Sequence, residues 1–199
     1  TVVNLLSRYY DINSGQILVD GHDISRATLY SLRSQLGYML QDSFVFTGTI
    51  MDNIRYGKLD ASDEEVIRAA KAVNADDFIS ALPMGYQTQV SERGGTLSAG
   101  QRQLISLARA MLKDPKILIL DEATSSIDTE TEVKLMDGIA KILENRTSFV
   151  IAHRLSTIKS ADLIMVVGEK KIMECGTHEE LLELKGAYYQ LYQTQTSLQ

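Results

Sequence analysis

With 199 residues, 44% of them hydrophobic and 23% charged, the chain can bury one core and has the composition of an ordinary globular domain. A formal net charge of -6 speaks against a nucleic-acid partner, which takes a basic face. No apolar run approaches the ~18–20 residues that span a bilayer, and no signal-peptide pattern is visible. The single cysteine, Cys175, allows no internal disulfide. That fits a reducing compartment, and Cys175 is expected to be a small buried or half-buried residue.

Residues 1–6 already carry the apolar side of a helix, so the text reads as starting inside a structural element, as a piece of a longer domain would. Residues 16–20 (QILVD) predict a short strand, closed by the turn residues Gly21-His22-Asp23. A helix follows over 28–36, then a short apolar strand over 37–40 that runs into Gln41. Residues 62–73 open on Ser62 and three acids, the start signal of a helix with the right dipole sense. Residues 76–82 continue helical until Pro83. Residues 99–112 place apolar side chains at helical spacing and stop at Asp114-Pro115. Residues 117–120 (ILIL) are a fully apolar strand, 129–144 a charged amphipathic helix, and 148–152 another apolar strand running into His153. A strand pair over 163–167 and 171–174 and two closing helices, 177–184 and 187–194, complete the chain.

Short apolar strands alternating with helices predict an α/β fold with a mostly parallel core sheet. The stretch from about 42 to 98 is mostly helical and reads as a subdomain inserted into that core; with the helix that follows, it reaches about residue 112.

Three apolar strands thus end in polar residues: Gln41, the pair Asp121-Glu122, and His153. Open α/β sheets bind ligands beyond the carboxyl ends of their strands. Two adjacent carboxylates after four branched apolar residues suit a nucleotide–metal site. Asp121 would hold Mg2+, Glu122 would orient or deprotonate water, Gln41 would hold the metal or the water, and His153 would bond a phosphate oxygen. A lone Gln or His in such a place is usually just a loop residue. A second constellation is Leu97-Ser98-Ala99-Gly100-Gln101. Ser98 and Gln101 form a capping box, yet Gly100 in the first turn costs roughly 1 kcal/mol against Ala. It allows a ligand close to the backbone, at a helix N-terminus suited to anions.

Residues 97–103 (LSAGQRQ), ILILDE at 117–122, SSID at 125–128, His153 and the stretch LQDSFVFTGTIMDNIRYG around Gln41 together resemble the ATP-binding cassette (ABC) ATPases. The signature, Walker B, D-loop, H-loop and Q-loop stand in that family's order. The Gln41 stretch and YQTQVSERGG are similar to exporters whose membrane and ATPase parts share one polypeptide. The resemblance implies a P-loop NTPase-like fold forming one partial ABC ATPase domain over 1–199, with a helical signature subdomain over approximately 42–112. It implies ATP and Mg2+ as cofactors, and a second nucleotide-binding domain, like or unlike, as partner. Gln41, Asp121, Glu122 and His153 would act on ATP held by their own domain, while Ser98, Ala99, Gly100 and Gln101 reach ATP held by the partner and Asp128 lines the seam. Glu92 would lie in the loop facing a transmembrane domain of the same polypeptide, on the cytoplasmic face of the plasma (inner) membrane.

The sequence departs from that pattern at Ala99, where glycine is usual, and at Ser126-Ile127, where Ala-Leu is usual. It also contains no G-x-x-x-x-G-K-[ST]; Gly57-Lys58 is followed by Leu59. Matched to the family, Thr1 follows the Ser/Thr that completes Walker A and would itself bind the nucleotide. The phosphate loop and the strands before it are therefore expected to be missing, and these 199 residues alone to bind ATP very weakly and not to turn it over. A soluble cassette ATPase without a transport role and a non-catalytic interaction fragment stay open as alternatives.

Overall fold

The computed structural model describes residues 2–39, 43–91, 95–121, 127–151 and 158–196. It divides into two compact units, residues 1–149 and 150–199.

The first unit opens with helix α1 (Val2–Leu6) and a tight antiparallel hairpin of β1 (Leu18–Val19) and β2 (His22–Asp23). The turn between them is Asp20-Gly21, at φ 49° and 77°. Such an Asp-Gly pair, both residues at positive φ, is the preferred two-residue hairpin loop, and it makes His22–Asp23 the return strand rather than part of the turn. Thr28 caps α2 (Leu29–Ser34) by accepting from the Ser31 N–H. That helix stops before Leu36, because Leu36 belongs to the core strand β3 (Leu36–Met39). Leu6, Ile24, Leu32, Leu36, Ile117 and Ile119 form one apolar cluster around these elements.

Between β3 and the next core strand lies a largely helical stretch. Two-residue strands β4 (Gly48–Thr49) and β5 (Gln89–Val90) pair antiparallel at its base. They bracket α3 (Ile50–Arg55), α4 (Asp63–Ala72) and α5 (Asp76–Ser80). Full capping boxes start α3 (Thr49 with Asp52) and α4 (Ser62 with Glu65). The long helix α6 (Ala99–Lys113) packs against α3 and α4 and leads into β6 (Ile117–Asp121).

Strand β6 pairs in parallel with β3, Leu36 opposite Ile117 and Met39 opposite Leu120. Its residues from Ile117 to Leu120 are all buried, as the unbroken apolar run requires of a strand covered on both faces. After α7 (Thr129–Leu143), strand β7 (Thr147–Ile151) completes the sheet in the order β3-β6-β7. Gly37 sits beneath Pro115; a Cβ there would overlap the proline ring.

In the second unit β8 (Ile164–Gly168) and β9 (Lys171–Gly176) form a bulged antiparallel hairpin, followed by helices His178–Leu184 and Ala187–Thr196. Ile164, Leu181 and Tyr188 are its buried core. Cys175 pairs with Met165 across the hairpin and is exposed, against the expectation of a buried or half-buried residue. The side-chain alternation of a strand explains this: Glu174 and Gly176, its neighbours, take the inner positions. Among the described residues no helix is long and apolar enough to cross a membrane.

Candidate nucleotide site

The register of β3 on β6 brings the carboxyl ends of the two strands side by side. Asp121, the last residue of β6, stands half-buried at that edge. Gln41, Glu122, His153 and Thr1 lie outside the described residues, as do Glu92 and the Ser125-Ser126 part of the D-loop stretch.

The second constellation is described in full. Ser98 caps α6: its hydroxyl accepts from the Gln101 N–H at 3.1 Å, and the Gln101 side chain accepts from the Ser98 N–H at 3.0 Å. Arg102 donates to the Leu97 carbonyl at 2.6 Å and ties the incoming chain to the first turn. Ser98 is exposed, Ala99 half-buried and Gly100 buried. Asp128 caps α7 by accepting from the Thr131 N–H at 2.9 Å, a bond that holds its carboxyl below the usual range.

The two helices run in the same direction. A Cβ on Gly100 would overlap Thr131 Cγ2 and lie 3.0 Å from Ile127 Cγ2; about two turns further along both helices, a Cβ on Gly138 would lie 2.8 Å from Leu107 Cδ2. Gly100 faces Thr131 as Leu107 faces Gly138, so both capped N-termini stand at the same end. The residue that sequence reasoning missed is Thr131. A glycine in a first helical turn asks for a close neighbour, and in the structure that neighbour is a side chain of α7.

A cluster on the flank of α6 was also not foreseen. Arg109 donates to the Asn53 carbonyl (2.8 Å), Asn53 Oδ1 (3.2 Å) and the Phe44 carbonyl (3.2 Å). Its guanidinium lies 5.5 Å from the Phe46 ring centroid and 6.0 Å from that of Tyr56. Phe44 meets Phe46 edge-on and Phe46 meets Tyr56 at a tilt, and all three are exposed.

Among the described residues no group of three or more His, Cys, Asp or Glu side chains gathers as a metal cage. A strand-end carboxylate is nonetheless a donor that Mg2+ uses, since that ion keeps several waters and takes one or two carboxylates with phosphate oxygens. Asp121, half-buried at the end of β6, is a donor of that kind.

Comparison with known proteins adds the family. Residues 1–125 match the ABC transporter domain. The chain is 55% identical over 195 residues to the uncharacterized ABC transporter ATP-binding protein YfiC of Bacillus subtilis, covering 98% of the chain and 32% of that protein. It is 52% identical over 191 residues to the fatty acid ABC transporter ATP-binding/permease protein of Mycobacterium bovis, covering 96% and 30%. The solved structure of a bacterial Atm1-family ABC exporter with ATP bound superposes with a TM-score of 0.90 at 44% identity, covering 98% of the chain and 34% of the exporter chain. The chain therefore spans about a third of the length of these relatives. An α/β unit with parallel strands, the capped helix α6 beside the capped helix α7, and these matches lead to one conclusion: the chain belongs to the ABC transporter family and has the fold of its ATPase domain.

Proposed function

We propose that the chain is most of the ATP-hydrolysing module of an ABC exporter, a single domain over 1–199 with its helical subdomain over approximately 42–112. ATP binding would close two such modules head to tail, and hydrolysis would reset them. The observation that carries this reading is the common end shared by Ser98–Gln101 and Asp128, two capped helix starts presented together. A surface that meets a partner's nucleotide needs helix N-termini and short polar side chains at one edge.

Each residue then has a separate task. Asp121 and Gln41 would hold Mg2+ when it is bound, and the ion supplies charge neutralisation at the phosphate oxygens. Glu122 takes the proton of the attacking water, and His153 donates a hydrogen bond to the γ-phosphate. Ser98, Ala99, Gly100 and Gln101 close on the partner's nucleotide. Glu92 faces the transmembrane part, in an assembly on the cytoplasmic face of the membrane whose second ATPase module is either a copy of this one or an unlike partner. The 199 residues contain no G-x-x-x-x-G-K-[ST], so on their own they are expected to bind ATP very weakly and to show no turnover.

The test is Mg·ATP hydrolysis by the full polypeptide carrying this segment, beside its Glu122→Gln form. Removing a general base is expected to slow turnover by about 10²–10⁴-fold while leaving ATP-driven pairing of the modules intact. Unchanged turnover in the variant would remove Glu122 from the chemistry, and a full polypeptide without ATPase activity would sink the motor reading.

A further inference from the structure

Gly100 presents a conflict that its role near nucleotide does not resolve. At the second position of α6, alanine would favour the helix by roughly 1 kcal/mol. The side of Gly100 where a methyl would sit is filled by another part of the same chain: Thr131 Cγ2 overlaps that position, Thr131 Cβ is 3.2 Å from it, and Ile127 Cγ2 is 3.0 Å from it. Thr131 also gives its backbone N–H to the Asp128 carboxylate at 2.9 Å. One residue thus touches both constellations, its methyl on the α-carbon of Gly100 and its N–H on Asp128. The second close approach, Gly138 against Leu107 Cδ2 and the Val73 carbonyl at 3.0 Å, holds the middle of the helix pair together, so a wedge at Gly100 opens the near end.

From this geometry we infer that Thr131 is a positioning residue for nucleotide-driven pairing. The Gly100–Thr131 contact sets the spacing between the signature turn (Ser98–Gln101) and Asp128, so that the two meet the partner module as one rigid edge. This rests on the reading of the chain as an ATPase module, and it gives Gly100 an intramolecular reason to be glycine. A methyl at residue 100 pushes the start of α7 away from the start of α6 and moves Asp128 with it. Deleting the γ-methyl of Thr131 makes room for that methyl while keeping the backbone N–H that caps with Asp128. The contacts that remain, Ile127 Cγ2 at 3.0 Å and Thr131 Cβ at 3.2 Å, then need to give by only a few tenths of an ångström.

The experiment uses the full polypeptide and Mg·ATP as the probe. Pairing of the ATPase modules is followed against ATP concentration for the parent, Gly100→Ala, and Gly100→Ala with Thr131→Ser. Thermal melting of the same samples reports on folding. The expected result is a rise of about tenfold or more in the ATP needed for half-maximal pairing in Gly100→Ala, and a return to within about threefold of the parent in the double variant. If Gly100 is glycine only because nucleotide approaches it, the double variant stays as defective as the single one, and the inference falls. It falls too if Gly100→Ala lowers the melting temperature and leaves the ATP dependence unmoved, since the contact then serves stability alone. Should Gly100→Ala fail to fold, a folded double variant with parent-like ATP dependence supports the spacing role; a folded double variant that needs tenfold more ATP overturns it, and so does a double variant that also fails to fold. A parent that does not pair with ATP at all contradicts the ATPase reading itself, a result separate from these.

Discussion

Asn53 is a small polar side chain at the centre of the helical stretch, fully buried at 0% exposure. Its amide accepts from the Phe46 N–H at 2.9 Å and from Arg109 at 3.2 Å, and donates to the carbonyls of Phe46 and Thr49, each at 2.9 Å. Replacing it by alanine removes all four bonds. Neutral buried bonds contribute about 1 kcal/mol each and one to a charged donor about 1.5–3. Simple addition gives about 5 kcal/mol, but Phe44 and Phe46 are partly exposed, so water can reach some of the freed groups. We expect Asn53→Ala to cost about 3–4 kcal/mol. Asn53→Asp keeps the shape and both acceptor roles and adds a charge opposite Arg109, but it turns the donating nitrogen into an oxygen facing the Phe46 and Thr49 carbonyls, so it should cost no less than the alanine variant. Urea unfolding followed by circular dichroism measures both, and amide exchange at Phe46 reports the local loss. An alanine variant within about 1 kcal/mol of the parent, with the Phe46 amide still protected, would refute the idea that this amide pins residues 44–49 beneath the aromatic patch.

Gly138→Ala sets a helix-propensity gain of about 1 kcal/mol against an overlap with Leu107 and the Val73 carbonyl that costs about 1–3. A net loss in urea unfolding is expected, and a stabilised variant would mean that α6 and α7 can separate freely. Asp52, Asp128 and Asp137 are held below the usual carboxylate range by bonds from Thr49, from the Thr131 N–H, and from Lys141 with Asn74, respectively. A folded-state pKa below the unfolded one gives stability that is present above about pH 4 and is lost as pH falls through the depressed values. Melting temperatures should therefore hold from pH 7 to about 5 and fall below about 4; a flat profile down to about pH 2 would contradict the assignment. Burial raises the Tyr38 hydroxyl, which shares a hydrogen bond with Ser7, to about 12. That stability is complete below about pH 10 and lost as pH rises from there through the folded-state value. Tyr38→Phe should flatten that alkaline loss in a melting series, and an unchanged slope would assign the loss to other groups.

The elements that could be read in advance are those whose local chemistry and tertiary role agree. Ser62 with Glu65 and Ser98 with Gln101 announce α4 and α6, and both boxes are complete in the structure. Four branched residues in a row announce β6, because only a doubly covered strand needs them. The failures occur where tertiary contacts decide. Strands β4 and β5 have two residues each and carry no periodicity, so only their pairing defines them. The Asp20-Gly21 hairpin was legible in principle, but an Asp-Gly turn predicts its return strand only when the residues after it are counted as strand. Asp121 was found as the end of a strand. Gly100 was read as making room for a ligand, while the room on its Cβ side is taken by Thr131, a contact about thirty residues away that no window of sequence reveals.

The closing helix Ala187–Thr196 has a consequence for where the chain can be shortened. Glu174, on β9, accepts from the N–H groups of Ala187 and Tyr188 at 2.5 and 3.0 Å, and Gly186 leaves the space that its carboxylate fills. Tyr188 in turn lies buried beside Leu181 and meets His178 Nδ1 at 2.7 Å. Trimming the polypeptide back to Lys185 would thus remove an anchor rather than a loose end. It would strand a carboxylate without its donors and open the small core under the hairpin, so proteases given the trimmed protein would find β8 and β9 cut first.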